Sequence, residues 1–162
     1  MIRNIKKQFF FWSLSLIFLS AITNPLYAQK TKEKVRAEIT ETLNIWNTAC
    51  KNAKLDQVMA MLDTTDELVV VGSAKGEINK GKDEVKAWLS QIFGFAGFSW
   101  EMTRVDIDSK GKIAWVFMNG KMIVNFHKGG QKITPYRFTG ILIRKKGAWK
   151  WRLFDGSVPQ QE

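Results

Sequence analysis

Hydrophobic residues recur with helical spacing at the start of the polar part of the chain. They stand three or four positions apart and form one apolar stripe, which is typical of an amphipathic helix: Val35, Ile39, Leu43, Trp46 and Cys50. This pattern predicts a first helix over residues 31–52. The same spacing predicts a short second helix from Leu55 to about Asp63, and a third helix that starts near Gly81 and ends before Gly94.

The rest of the pattern is typical of β-structure. Residues 68–71 form a compact β-branched run that stops at Gly72, which predicts a buried strand. A turn and a small strand then precede the third helix. After Phe98, turn signals at residues 108–111, 127–130 and 145–147 divide the chain into four long antiparallel strands. Helices that come first and a sheet that follows predict an α+β domain with its helices on one face of the sheet.

Two positions interrupt the long strands. The side on which apolar residues fall changes at Thr103-Arg104, and a β-bulge produces such a change. Asn119-Gly120, between two apolar runs, is the second position, and it is also a strong signal for a hairpin turn. We favour an unbroken, kinked strand there, because the neighbouring strand over residues 132–145 is equally long and would otherwise lack a partner.

The first 28 residues have the composition of a secretion signal. Three cations and no acids precede an apolar stretch from Phe9 to Ile22. A membrane helix needs about 20 apolar residues, and residues 23–25 interrupt this stretch too early. We therefore expect cleavage after Ala28, which leaves residues 29–162 as one domain without a membrane anchor. The protein is expected to be exported, either periplasmic or secreted.

The composition argues against several kinds of partner and site. Without the three signal cations, 22 basic and 15 acidic side chains give a net charge of +7. The lysines are scattered through helix faces and turns, which indicates a solvated surface and no nucleic-acid partner. Cys50 and His127 are the only residues of their types. We therefore expect no intramolecular disulfide, no metal site, no cofactor, and a buried, inert thiol at Cys50.

Several short motifs together resemble the SnoaL-like group of the nuclear transport factor 2-like superfamily. They are Ile45-Trp46-Asn47, Ala53-Lys54-Leu55-Asp56, the strand at 68–72, Gly81-Lys82-Asp83-Glu84-Val85, Arg137-Phe138-Thr139, and residues 147–151 through 157–159. The association domain of calcium/calmodulin-dependent kinase II is similar as well. The resemblance implies a cone, in which a strongly curved, mainly antiparallel sheet wraps around about three helices and leaves a pocket at one end.

The resemblance also suggests which residues face that pocket. It places Trp46 toward it, and it places inward one side of each of the last two strands: Arg137 and Thr139, then Leu153, Asp155 and Ser157. Similar proteins often carry histidines where Leu153 and Asp155 stand, so one carboxylate remains here. Arg137 would hold a ligand carboxylate or enolate, and Asp155 is a candidate general base. A structural ion pair between the two is the alternative.

Aromatic residues leave two alternatives open. The tyrosine and two carboxylates of steroid-isomerase chemistry are absent as a set, because Tyr136 has the opposite parity to Arg137. Trp46, Trp88, Trp100 and Trp115 either line an apolar cavity or fill the core. Core filling is favoured for each, and Trp46 is the best exception.

Three functions fit these observations, because this superfamily includes enzymes, binders and oligomerisation modules. The first is an exported pocket protein that binds a small organic anion or an apolar metabolite without a cofactor. The second is a cofactor-free enzyme for proton transfer or hydrolysis that uses Asp155 and Arg137. The third is an interaction module that forms a homodimer through the outer face of the sheet.

Overall fold

The computed structural model describes residues 29–160. The chain divides into two compact units, Met1–Val35 and Arg36–Glu162. In the first unit the described residues are 29–35, which are helical. The predicted signal segment and its cleavage site lie outside the described residues. All that follows concerns the second unit.

The elements occur in the order that the sequence predicts. The helices are α1 (residues 29–51), α2 (Leu55–Ala60) and α3 (Gly81–Phe93). The strands are β1 (Val69–Val71), β2 (Ile78–Lys80), β3 (Ala96–Lys110), β4 (Ile113–Phe126), β5 (Gln131–Lys145) and β6 (Ala148–Ser157). The prediction of an α+β domain is therefore confirmed.

The second helix is shorter than predicted. It ends at Ala60, whereas the periodicity extended to Asp63. The backbone leaves helical geometry because it pairs with strand β6: the Trp151 N–H donates to Met61 O (2.9 Å), and the Asp63 N–H donates to Trp151 O (2.8 Å). These bonds bring Leu62 and Asp63 onto the sheet and bury both side chains.

The six strands form one sheet in the order β2-β1-β6-β5-β4-β3. Every neighbouring pair is antiparallel except β1 and β6. The four long strands are the predicted antiparallel meander. One face of the sheet is buried, through residues such as Val116 and Met118 on β4 and Phe138 on β5, while their sequence neighbours Phe117 and Asn119 point to the other face. We call these the inner and outer faces.

Both predicted strand irregularities are confirmed. The register of β3 against β4 shifts between Met102 and Arg104, which is the predicted bulge. Strand β4 runs unbroken through Asn119 and Gly120. A methyl group at Gly120 would overlap the Glu101 carbonyl oxygen opposite it, so the glycine permits the close backbone approach at the bulge.

A second bulge was not predicted. Ile141 pairs with Leu153 but the next residue, Leu142, pairs with Trp151, so Arg152 is an extra residue in β6. Because side chains alternate along a strand, one extra residue exchanges the two faces beyond it. Trp151 and Phe154 therefore both point inward, three positions apart.

Aromatic rings fill the half of the inner face nearest this bulge. Trp151 is fully buried; its ring lies 5.3 Å from that of Trp46 on α1 and 5.9 Å from that of Phe138 on β5. Gly140 lies beneath Trp151, where any side chain would overlap the indole. We call this region, with Leu142, the packed half of the core.

Candidate functional site

The other half of the inner face encloses a cavity of about 300 Å³. It lies where β3 and β5 begin and β4 ends, and α3 and the β1–β2 loop complete its wall. Its lining is mostly aromatic and aliphatic, and includes Trp46, Trp88, Phe98, Trp100, Val124 and Phe154. Cavities lined in this way are usually dry and accept apolar guests.

Two indole N–H groups in this lining have no hydrogen-bond partner within residues 29–160. The Trp46 and Trp100 side chains are 5% and 9% exposed, and Nε1 of each is buried without a hydrogen-bond acceptor. Both rings pack against Phe154, with ring centroids at 6.2 Å and 5.9 Å. An unpaired buried donor costs about 1–3 kcal/mol. A ligand that displaces the neighbouring side chains and supplies an acceptor to either group would recover that cost.

Tyr136 is a further donor in the wall. It is 3% exposed, and its ring lies 6.5 Å from that of Trp100. Burial raises the pKa of Tyr136 to about 12; a hydrogen bond with Ser73 opposes this rise, and the negative charges of Glu77 and Asp155 add to it. The phenol is therefore protonated at neutral pH, so it acts as a donor and is a poor proton acceptor.

Glu77 is the one carboxylate among the described residues of the lining, and it is already engaged. Its Oε2 accepts a hydrogen bond from the Ala74 N–H at 2.8 Å, within the β1–β2 loop. Lys132, exposed at the start of β5, is the cation of the lining. This hydrogen bond holds the carboxylate against its own loop.

Asn47 on α1 holds Trp100 in position. Its Nδ2 donates to Trp100 O at 3.0 Å, and its Oδ1 accepts from the Trp100 N–H at 2.7 Å. Strand β3 is the last strand of the sheet, so these backbone groups face away from any neighbouring strand. The amide thus completes the hydrogen bonds of the edge strand and fixes one wall of the cavity.

Cys50 lies in the wall behind Trp46. It is free, 2% exposed, and burial raises the pKa of its thiol well above the ordinary value. A protonated, buried thiol is a poor nucleophile, and the predicted inert role agrees with this environment.

The SnoaL-like domain family model matches residues 39–161. The chain belongs to the SnoaL-like family. A comparison with curated proteins found no match. Membership of this family establishes the fold, and the fold alone does not determine a function.

Solved structures show the same fold. A candidate dehydratase of the NTF2-like family from Streptomyces avermitilis has a TM-score of 0.71 at 12% identity, over 80% of this chain and 99% of that chain. An NTF2-like superfamily protein from Salmonella enterica serovar Typhimurium has a TM-score of 0.69 at 15% identity, over 80% and 94%. A candidate calcium/calmodulin-dependent kinase II association domain from Thiobacillus denitrificans has 0.62 at 18%, over 74% and 93%. The predicted nuclear transport factor 2-like cone is confirmed.

Of the six residues predicted to face the pocket of this SnoaL-like domain, Trp46 lines it. The other five lie on the outer face: Arg137, Thr139, Leu153, Asp155 and Ser157. Their predicted inward orientation was wrong. On β6 the extra residue Arg152 reverses the faces at the end of the strand. On β5 the alternation is unbroken, and Tyr136 and Phe138 occupy the inward positions beside Arg137 and Thr139. Arg137 Nε donates to Ser157 Oγ at 3.1 Å. Within residues 29–160, no salt bridge joins Arg137 to Asp155.

Sequence reasoning missed Tyr136 and the loop residues Ser73 and Glu77. For Tyr136 a signal existed, because Tyr136, Phe138 and Leu142 alternate with polar residues along β5. Trp88 and Trp100 line the cavity together with Trp46, whereas Trp115 is 44% exposed on the outer face. Core filling was thus wrong for Trp115.

Residues 29–160 contain no group of three side chains suited to hold a metal ion. None of the helices in that range is long and apolar enough to cross a membrane.

Proposed function

We propose that the cavity binds a small, flat, apolar organic molecule that carries a hydrogen-bond acceptor, and that binding needs no cofactor. The observation that carries this proposal is a cavity of about 300 Å³ with aromatic walls and two buried indole N–H groups without partners. Protein pockets for small molecules start at about this volume and have few polar groups. Of the two predicted ligand classes, an apolar metabolite is favoured over an organic anion, because Arg137 lies on the outer face.

The geometry does not favour the second hypothesis, a cofactor-free enzyme that uses Asp155 and Arg137. Both side chains are exposed on the face opposite the cavity. Inside the cavity Glu77 is hydrogen-bonded to its loop, and the raised pKa of Tyr136 keeps a proton on the phenol. A binding protein therefore explains the described lining better than a proton-transfer enzyme does.

A matched pair of ligands tests the binding proposal. We expect 2-acetylnaphthalene to quench tryptophan fluorescence, with a dissociation constant of roughly 1–100 µM. Val124→Trp should fill the cavity and abolish this binding. Ile123→Trp is the control, because the neighbouring residue points to the outer face. Absence of binding to the wild-type protein, or equal binding to both variants, would refute the proposal.

Variants of the two tryptophans test whether the acceptor of the ligand binds an indole N–H. Trp46→Phe and Trp100→Phe keep an aromatic ring but remove the N–H. We expect each variant to lose about tenfold in affinity for 2-acetylnaphthalene if its N–H donates to the ketone, and to bind 2-ethylnaphthalene as the wild type does. An equal loss for both ligands would mean that ring shape alone matters.

We also propose that the protein is a homodimer, joined through the outer face of the sheet. Trp115 on β4, Ile141 on β5 and Leu153 on β6 are cross-strand neighbours there, and Ile113 beside them is 50% exposed. Such a patch suits a second copy of the same surface. Trp115→Lys should convert the dimer to a monomer in analytical ultracentrifugation, while Ile78→Lys, an exposed control on β2, should not. A monomeric wild type at micromolar concentration would contradict this proposal.

We propose, finally, that the protein works outside the cytoplasm. This rests on the cationic and apolar pattern of residues 1–28. Intact mass measurement of the protein recovered from the cell envelope or the medium should show a chain that begins at Gln29. A mass that includes Met1 in an active, membrane-free protein would exclude cleavage.

A further inference from the structure

The end of the sheet opposite the cavity carries a basic cleft of about 740 Å³. Strand β4 begins there and β5 ends there, whereas the cavity lies where β4 ends and β5 begins. Five cationic side chains line the cleft: Lys112, Arg144, Lys145, Lys146 and Lys150. The backbone brings their loops together, since the Arg144 N–H donates to Lys112 O at 2.8 Å.

Acidic groups neutralise this cluster only in part. Asp63 is the carboxylate of the lining; it binds Lys145 Nζ at 2.5 Å, and also Arg152, which lies beside the cleft. Glu38 on α1 binds Arg144 at 3.2 Å. Glu67 binds Arg152. Among the described residues, no salt bridge engages Lys112, Lys146 or Lys150, and Lys150 Nζ donates to Ala60 O.

The negative charge of Asp63 is balanced by two cations, Lys145 and Arg152. Its side chain is 3% exposed. Burial alone would raise the pKa of Asp63, but the hydrogen bonds and charges of Lys145 and Arg152 together bring it below the ordinary value. The carboxylate lies at the base of the cleft with both oxygens engaged, and Lys112 and Lys146 remain available to a ligand.

Lys146 occupies a conformation that lysine seldom adopts. It has φ 49° and the next residue, Gly147, has φ 84°, in a two-residue hairpin between β5 and β6. Two successive positive φ values are typical of a type I′ turn, for which Asn-Gly is the preferred sequence. A lysine at this position has a strained backbone, and it adds a positive charge to a cluster that already has an excess of cations. Strain of this kind is often retained at binding sites.

We propose that this cleft is a second binding site, specific for the phosphate group of a phosphomonoester or phosphodiester. Lysine ammonium groups bind phosphate as point charges, and the hydroxyl of Thr64 in the lining adds a neutral donor. The Thr65 hydroxyl is already engaged, since it donates to Asp63 Oδ2 at 3.4 Å. The cleft is wide and open, so it accommodates a phosphate that is attached to a larger group. Leu62 borders both this cleft and the apolar cavity, but none of the five cationic residues of the cleft lines the cavity.

Direct titration tests the site. The full mature chain is titrated with inorganic phosphate and with glycerol 3-phosphate, and two-dimensional NMR shifts report where each binds. The double variant Lys112→Gln with Lys146→Asn should lose at least tenfold in affinity. Lys51→Gln with Lys82→Gln removes the same charge from two exposed helical positions outside the cleft and is the control. Equal losses in both double variants would overturn the proposal, because net charge alone would explain them.

Vesicles separate a lipid phosphodiester from a free phosphate compound. Vesicles of phosphatidylglycerol with phosphatidylcholine are compared with pure phosphatidylcholine vesicles by co-sedimentation. Binding to phosphatidylglycerol that the Lys112/Lys146 variant loses and the control keeps assigns the site to lipid headgroups. Phosphate titration without vesicle binding assigns it to a soluble ligand. No binding in either assay would refute the site.

The turn provides a second measurement. Asparagine tolerates positive φ better than lysine, so Lys146→Asn alone should raise the Tm by about 2–4 °C while it weakens phosphate binding. A gain in stability with a loss of binding would mean that the lysine is kept for its charge. A fall in Tm together with the loss would mean that Lys146 supports the fold, and this would count against the site.

Discussion

The packed half of the core and the half that encloses the cavity, which we call the hollow half, use the same strands in different ways. On β5, Gly140 lies beneath Trp151 in the packed half, and the indole occupies the space that a side chain would take. On β6, Gly156 lies against the Tyr136 hydroxyl in the hollow half. Trp151 has protein on all sides and is fully buried, whereas Tyr136 borders a cavity.

Because of this difference, substitutions in the packed half should affect mainly stability, and substitutions in the hollow half mainly ligand binding. In the packed half a displaced ring has no free space, so crowding raises the free energy of the folded state. In the hollow half a displaced ring enters the cavity, at little cost to folding but at the expense of the ligand. Changes of equal size should therefore have unequal effects in the two halves.

Gly140→Ala should have the largest effect on stability. Its methyl group would overlap the Trp151 ring and lie near the Leu153 carbonyl oxygen. We expect a loss of about 3 kcal/mol in the free energy of unfolding, measured by urea denaturation. A loss below about 1 kcal/mol would show that the packed half has more room than this comparison requires.

Asp63→Asn should have the next largest effect, since it breaks a buried ionic cluster near the packed half. We expect a loss of about 2 kcal/mol at pH 7. The pKa of Asp63 is lowered in the folded state, so the carboxylate stabilises the fold above its unfolded pKa of about 3.9, and this contribution disappears as the pH falls through the folded value. Wild type and variant should therefore converge in stability below about pH 4. A constant difference between pH 7 and pH 3 would contradict the assignment.

Asn47→Ala should cost about 1–2 kcal/mol, because it leaves both backbone groups of Trp100 without their side-chain partner. Since Trp100 lines the cavity, affinity for 2-acetylnaphthalene should fall as well. Thr48→Ala is a control on the same helix, where the hydroxyl bonds only within the helix, to Asn44 O. Amide hydrogen exchange should increase at residues 99–101 in the Asn47 variant and remain unchanged in the control.

Gly156→Ala should have the smallest effect on stability, below about 1 kcal/mol, since Tyr136 can move into the cavity. The same change should lower affinity for 2-acetylnaphthalene by at least tenfold. Destabilisation as large as that of Gly140→Ala would show that the two halves are equally filled, and the comparison would fail.

Periodicity was sufficient for most of the fold. The stripe through Ile39, Leu43 and Trp46 predicts α1 because helix burial depends on local spacing alone. The bulge near Thr103 is visible because apolar residues define the inner side clearly before and after it. The end of α2 was not predictable, since the bonds that end it come from Trp151, which is remote in sequence.

The candidate site was harder to predict, and one residue explains most of the error. Trp151 and Leu153 are both apolar, so the alternation of β6 looks regular across Arg152, although the bulge exchanges the two faces there. The local alternation of Tyr136 and Phe138 with Arg137 favours the observed orientation, whereas the family resemblance implies the opposite one. Trp46 was predicted through that same resemblance. The cavity also depends on loop residues such as Ser73, which no periodic pattern places.

The contact between Asn47 and strand β3 also blocks part of the edge of the sheet against pairing with another strand. A last strand with free backbone groups is a template for another strand, and polymerisation can begin there. The Asn47 amide is hydrogen-bonded to the N–H and the carbonyl of Trp100, and the Lys51 carbonyl lies against Gly97. Farther along β3, Arg104 and Asp106 are exposed and form a salt bridge, so this part of the edge carries charged side chains. Asn47 thus acts on the sheet edge as a neighbouring strand would, and it leaves the backbone of Trp100 no free groups with which to pair another chain.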